Sequence, residues 1–194
     1  MSVKVITGVV RLSYAWLNEP RANKKGVLKY GAQLIIPKDD TKTIADIDKA
    51  IEEEFAANFA KLGFKTAKLP KSSPSFKLPW RDGDEERDDD SVAGCMFINT
   101  TSDSRPSVVN LKLQEIIDPH EIYSGMYARV SITVKEFTGE AKGITCYLNH
   151  VQKVKEGDRL DGRASAVSDF KDFGGDEWED PNAPDGDDED DYVM

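Results

Sequence analysis

Aromatic rings interleaved with cations are the residues of this chain best equipped for chemistry. In "MYARVSITVKEF" (126–137), Tyr127, Arg129, Lys135 and Phe137 fall on one side of a strict alternation. Rings stack on unpaired bases at ~1–3 kcal/mol per base, and cations neutralise phosphates. That combination suits a single strand, because the bases of a duplex already stack on each other. A second cluster holds Tyr14, Trp16 and Tyr30, with Arg11, Arg21, Lys24, Lys25 and Lys29 around them. A third lies in "SFKLPWRDGD" (75–84), where Phe76 and Trp80 alternate with Lys77 and Arg81. Arg105, Tyr147 and Lys153 complete the candidate set for nucleic-acid binding.

Catalytic chemistry finds little support. His120 and His150 are isolated, without a Cys or carboxylate at metal-ligand spacing, and read as structural or surface residues. No nucleophile-elbow, P-loop or zinc-protease motif occurs. The acidic knot "DGDEERDDD" (82–90) could attract Mg²⁺ or Ca²⁺ but lacks the carboxylate spacing of an EF-hand loop, and reads as a solvated loop. No cofactor or resident metal is expected. Cys95 and Cys146 lie far apart in apolar runs and read as reduced thiols of a cytosolic protein. The N-terminal run is interrupted by Lys4 and Arg11, so it is not read as a signal peptide, and nothing approaches a membrane span.

The elements that must position these residues are mostly strands. Residues 3–16 and 29–37 read as two strands joined by a basic loop, 18–26. In the second, Ala32, Leu34 and Ile36 point one way and Lys29 and Gln33 the other. Ile44, Ile47, Ile51, Phe55, Phe59 and Leu62 then follow at spacings of three and four, the mark of an amphipathic helix. Thr41 or Thr43 would cap it and Gly63 would stop it. Residues 64–92 show no clear period, and 94–101 and 106–113 are further strand candidates. In 126–137, Met126, Ala128, Val130, Ile132 and Val134 face inward. A hairpin loop (138–143) leads to 144–154, where Ile144, Cys146 and Leu148 point inward and Tyr147, Asn149 and Lys153 outward. The expected fold is mainly β: an OB-fold-like antiparallel β-barrel with one amphipathic helix and long loops, in which loops 18–26 and 138–143 flank the binding face. The helix precedes the third strand, whereas the usual OB helix follows it.

Charge is distributed unevenly. The formal net charge is −10, yet from Asp169 onward there are 12 acidic residues and one Lys. Residues 1–168 hold 25 basic and 24 acidic residues, a net of +1, and leaving out the knot leaves 24 against 17, a net of +7. A mildly basic body thus carries two acidic appendages. The end of the chain has too little apolar content to offset chain entropy and is expected to be disordered. The expected organisation is a nucleic-acid-binding domain over 1–165 and an acidic tail over 166–194. On the tail, Trp178 and Tyr192, with Asp187, Asp188, Glu189, Asp190 and Asp191, are the candidate contacts for a protein partner, since charge steers encounter and aromatics supply hot spots.

Taken in order, "RLSYAWL…P" (11–20), "YGAQLIIPKDDT" (30–41), "RP" (105–106), "IYSGMYARVSI" (122–132) and "KGITCYLNHVQKVKEGDRLDGR" (142–163), with "DF" (169–170) before the acidic end, resemble the phage-encoded single-stranded DNA-binding proteins. The resemblance covers essentially the whole chain. It implies an OB-fold with an acidic C-terminal tail, a non-enzymatic role in replication, recombination or repair, and a bacterial host cytoplasm. Implied partners are single-stranded DNA and phage or host replication and recombination proteins reached through the tail. A homodimer is compatible with this reading. Two rivals would use the acidity differently: a DNA mimic that inhibits a host nuclease or restriction factor, and a metal-dependent nuclease built on the knot.

Overall fold

The computed structural model describes residues 2–71, 73–86, 89–160 and 162. In chain order its elements are β1 (Val3–Ile6), β2 (Val10–Ala22), β3 (Leu28–Pro37), α1 (Thr41–Asn58), β4 (Phe76–Lys77), β5 (Trp80–Asp82), α2 (Gly83–Glu86), β6 (Cys95–Ser102), β7 (Ser107–Val109), β8 (Tyr127–Phe137) and β9 (Lys142–Lys155). The fold is mainly β. Five strands close a ring: β2 pairs with β3, β3 with β6, β6 with β9, β9 with β8, and β8 returns to β2. The seam between β6 and β9 is parallel, and the other four pairings are antiparallel.

Alternation explains the ring's interior. Ala128, Val130, Ile132 and Val134 of β8 are fully buried and meet Leu12, Leu34, Ile98 and Cys146 from the other strands. Helix α1 follows β3 and precedes β6 in the chain, and it packs on β1, β8 and β9. Its apolar stripe buries Ile47, Ala50, Ile51 and Phe55, each worth up to ~1.5–3 kcal/mol for the larger side chains. The cap is neither Thr41 nor Thr43. Asp40 accepts the Thr43 N–H at 3.1 Å, because an Asp one residue before the helix reaches that amide directly. The Thr43 hydroxyl is turned instead to the Gly8 N–H, at 2.9 Å.

That contact marks the break in the expected first strand. The Thr7 hydroxyl takes the Val130 N–H at 3.0 Å, and the chain kinks through Gly8, where a Cβ would meet the Thr43 oxygen at 2.7 Å. β1 therefore stays on β8, while β2 keeps only Val10 and Arg11 on β8 and otherwise pairs with β3. The loop expected over 18–26 is also shorter, because β2 runs on to Ala22. Asn23 Oδ1 accepts from the Lys25 and Val27 amides and tightens the tip to 23–27. The strand expected over 106–113 is confined to Ser107–Val109, since Asn110 closes a turn onto the Lys112 and Gln114 amides.

One irregularity matters for the site. Ser131 pairs with His150 and Ile132 with Leu148, which leaves Asn149 as an extra residue in β9. Such a bulge exchanges the faces of everything beyond it. Val151 and Lys153 consequently turn inward, so the expected outward position of Lys153 is corrected: it is buried.

Candidate nucleic-acid interface

The ladder registers bring four distant residues into one row. Trp16 on β2 is opposite Gly31 on β3, Gly31 opposite Thr101 on β6, and Thr101 opposite Tyr147 on β9. Neighbouring Ala32, Thr100 and Cys146 are buried, so this row faces outward. At ~4.8 Å per strand spacing, its two aromatics stand ~14 Å apart along the sheet. Between them lie only Gly31 and the exposed Thr101. Gly31 cannot gain bulk cheaply, because a Cβ there would sit 2.5 Å from the Thr100 carbonyl oxygen. The product is a trough with an aromatic wall at each end.

At the first wall β2 is irregular, with register shifts between Ser13 and Trp16 and between Trp16 and Arg21. Tyr14 adopts φ 45°, a left-handed conformation that a non-glycine residue keeps only when its surroundings impose it. Tyr14 and Trp16 are 49% and 40% exposed, large values for aromatics, and the Arg21 guanidinium lies over the Trp16 ring at 4.6 Å. A groove of about 380 Å³ here is lined by Ser13, Tyr14, Trp16, Arg21, Asp89, Ser91, Ser124 and Leu160. The next row of the sheet, Ser13–Gln33–Asn99, runs beside it, with Gln33 Nε2 donating to Asn99 Oδ1 at 3.0 Å.

At the second wall Tyr147 joins Ser102, Asp103, Ser104, Arg105, Asn149 and His150 around a cleft of about 340 Å³. Arg105 donates to Asn18 Oδ1 at 3.4 Å, and Lys29 pairs with Asp103. Thr133 continues the row onto β8, where Arg129 and Lys135 are exposed on the same face. Arg129 donates to Gln152 at 3.2 Å. The tips of the β2–β3 and β8–β9 hairpins approach each other through Lys25 and Glu140 at 3.6 Å, with exposed Lys24 alongside.

The remaining candidates separate from this surface. Phe76 is a core residue, 4% exposed, packed edge-on against Phe55 and Phe64 at 5.4 and 5.3 Å, and not a nucleic-acid contact. Trp80 is turned to α1 and donates from Nε1 to Asp48 at 2.8 Å, which makes it a structural link. Lys77 is exposed, and Arg81 reaches Glu86 at 3.5 Å. Lys153 donates to the Glu121 carbonyl at 2.8 Å and pairs with Glu156 at 2.6 Å. Tyr127 carries a cation toward its ring from both Arg11, at 5.8 Å, and Lys155, at 4.5 Å, so it positions charge and offers little ring for a base. Arg11 is further tied to the Asp158 carbonyl at 2.8 Å. Tyr30 and Phe137 are half-buried at strand ends, opposite Ser102 and Gly143. The tail candidates Trp178, Asp187, Asp188, Glu189, Asp190, Asp191 and Tyr192 lie outside the described residues.

Sequence reasoning missed Ser13, Gly31, Asn99, Thr101 and Lys155. Their signal is the register between strands up to 70 residues apart, which no local pattern carries. Among the described residues, no group of three or more His, Cys, Asp or Glu side chains is gathered to hold a metal. Cys95 and Cys146 are free thiols, and burial pushes the Cys146 thiol up to about 12.

The Enc34 single-stranded DNA-binding protein in complex with ssDNA superposes with a TM-score of 0.69 at 27% identity, over 81% of this chain and 89% of that one. The single-stranded DNA-binding protein gp2.5 of bacteriophage T7 shares the fold, with a TM-score of 0.58 at 16% identity over the whole of both chains. Protein p50 of Acyrthosiphon pisum secondary endosymbiont phage 1 is 26% identical over 174 residues, 88% of this chain and 94% of that protein. The family model described as Enterobacter phage Enc34, ssDNA-binding protein, matches residues 3–183. With its strand ring, its outward aromatic trough and a match over nearly its full length, the chain belongs to the family of the phage Enc34 single-stranded DNA-binding protein.

Proposed function

We propose that the protein binds single-stranded DNA with little sequence preference, laying the strand across the trough from Trp16 to Tyr147. The observation that carries this reading is the row Trp16–Gly31–Thr101–Tyr147, two rings separated by two strands without bulky side chains. A base stacks at each ring, while Arg21, Lys24, Arg105, Arg129 and Lys135 neutralise phosphates along the path. The ssDNA complex of the Enc34 relative supports the choice of ligand. Stacking and charge supply binding without bond-making, so the role is non-catalytic and serves replication, recombination or repair of a phage genome in the host cytoplasm.

The acidic tail acts in the same scheme. The tail of the sequence is joined covalently to the body that carries the groove. A tethered polyanion works at an effective concentration of ~mM. It competes weakly for the groove, yields to a long single strand, and is then available to a replication or recombination protein through Trp178 and Tyr192. A DNA mimic, the main rival, would spread negative charge over its folded surface, and the cations around the trough favour the binder.

Titrating the full-length protein with fluorescein-labelled oligo(dT) and with a duplex of equal length, at two salt concentrations, tests the reading. Tighter binding of the single strand, weakening as salt rises, is expected. Absent binding, or equal binding to both forms, overturns it.

A further inference from the structure

His150 reads from the sequence as a surface or structural residue, yet the fold seats it at the second aromatic wall of the trough. The extra residue in β9 brings it there. Asn149 is held across the sheet, its Nδ2 donating to the Thr133 and Ser131 hydroxyls at 2.9 and 3.3 Å. His150 follows on the outer face, opposite Ser131 of β8 and Ser107 of β7. Its exposed imidazole shares the cleft of about 340 Å³ with Tyr147, Arg105, Ser102 and Ser104. Asp103 is the acid among the residues lining this cleft, and it is already paired with Lys29 of β3. β7 presents no charged side chain, and on β8 the nearest charged residue by register is Arg129, opposite Gln152. Among the described residues no hydrogen bond or ion pair holds the imidazole, and Arg105 meets the neutral Asn18 at 3.4 Å. A cation, a titratable ring and two hydroxyls thus converge beside an aromatic, with the local acid neutralised.

We propose that His150 is a phosphate contact of the bound strand whose strength is set by pH: once protonated, its imidazole joins Arg105 on the phosphodiester beside the base stacked on Tyr147. The inference rests on the reading of the trough as a single-strand site. An imidazole exchanges its charge between pH 5 and 8, and in the charged form both ring nitrogens donate. Neither thymine nor a phosphodiester titrates in that range, so oligo(dT) itself does not respond. The sign follows from linkage: a proton that strengthens binding is taken up on binding, so affinity rises as pH falls. One more neutralised phosphate steepens the slope of log K against log salt by ~0.7 for a single strand, which at 0.1 M salt is about fivefold in affinity. The chain has two histidines, and the other, His120, lies on the 3-10 turn Pro119–Glu121, outside this cleft, where it serves as the control.

The test titrates full-length wild type, His150→Gln and His120→Gln with oligo(dT) carrying a pH-insensitive dye, by anisotropy over a salt series at about pH 5.5 and pH 7.5. Wild type and His120→Gln are expected to bind about fivefold more tightly at the lower pH in 0.1 M salt, with a slope steeper by ~0.7. His150→Gln is expected to lose both differences. The imidazole proton resonances of the wild type, followed by NMR, give a reading that needs no substitution: with oligo(dT) bound, His150 should keep its proton to higher pH, and His120 should not change. Binding that does not depend on pH, a dependence that survives His150→Gln, or one lost in His120→Gln instead overturns the contact. Failure of the wild type to bind oligo(dT) at either pH would refute the single-strand reading itself, an outcome distinct from binding that ignores pH.

Discussion

Trp16 and Phe76 are both candidate stacking aromatics in the sequence, and their settings in the fold differ in a way that alanine substitution separates. Phe76 is 4% exposed and meets two other rings edge-on, Phe55 and Phe64. Removing a buried Phe costs ~3–5 kcal/mol in lost transfer energy and cavity, with lost ring pairing inside that range. Against a typical domain stability of ~5–15 kcal/mol, Phe76→Ala takes about a fifth or more and lowers Tm by ~6–20 °C. Its oligo(dT) affinity, measured well below the new Tm, stays within about twofold of wild type. Trp16 is 40% exposed and packs on one side against Arg21. Trp16→Ala forfeits an exposed cation–π contact worth ~0.5–1 kcal/mol of stability. In binding it loses a stacked base at ~1–3 kcal/mol, or about 5- to 150-fold in Kd. Urea unfolding followed by circular dichroism, with anisotropy titration of labelled oligo(dT), reads both quantities for both variants. The reasoning is refuted if Phe76→Ala keeps its stability and loses DNA, or if Trp16→Ala binds as wild type.

Two further expectations concern charge. The lowered carboxyls of Asp82 and Asp84, caused chiefly by hydrogen bonds from Lys38, contribute stability above the ordinary value of 3.8 and lose it as pH falls through their lowered values. Lys38 is raised by the same bonds, so its contribution holds below the ordinary 10.5 and fades as pH climbs through the raised value. The Lys38 bridge to Asp82 and Asp84 should therefore hold between about pH 4 and pH 10, and amide exchange at Gly94, which donates to Asp84, should lose protection only as pH falls below the ordinary 3.8; loss already above that value would contradict the sign. Lys153 is buried against Glu121 and Glu156 while Lys135 is exposed on the outer face. Lys135→Ala should lower the slope of log K against log salt for oligo(dT) by ~0.7, and Lys153→Met should lower stability with the slope unchanged; the same slope change in both variants would return Lys153 to the interface.

What the sequence made legible was set by local periodicity. β8 is buried on one face and exposed on the other, so its alternation names inner and outer residues directly, and α1 shows its stripe at spacings of three and four for the same reason. Periodicity fails where a remote segment changes the environment. Ile35 of β3 is buried on the outer face because Val92, almost 60 residues later, packs against it there. Phe76 is drawn into the core because β4 pairs in parallel with β9, which sets its ring against Phe55 on α1. Lys153 turns inward because a single extra residue at Asn149 exchanges faces, and nothing in "YLNHVQKV" announces it. The trough itself joins residues 16, 31, 101 and 147, and only strand register puts a glycine and a threonine between two aromatics.

Net charge is an equally poor guide to the interface, and the ion pairs explain why. Much of the basic excess of the body is spent internally: Lys38 on Asp82 and Asp84, Lys61 on Glu136, Lys71 on Glu52, Lys29 on Asp103 and Lys153 on Glu156. Among the described residues no ion pair joins Arg21, Lys24, Arg105, Arg129 or Lys135 to an acid, and these five stand at the hairpin tip, the two walls of the trough and the outer face of β8. Each phosphate they neutralise releases about 0.7 of a counterion from a single strand, so five set an upper slope of about −3.5. A protein of net charge −10 can therefore hold a polyanion, because attraction is decided within a Debye length of the trough, and acids beyond that distance are screened.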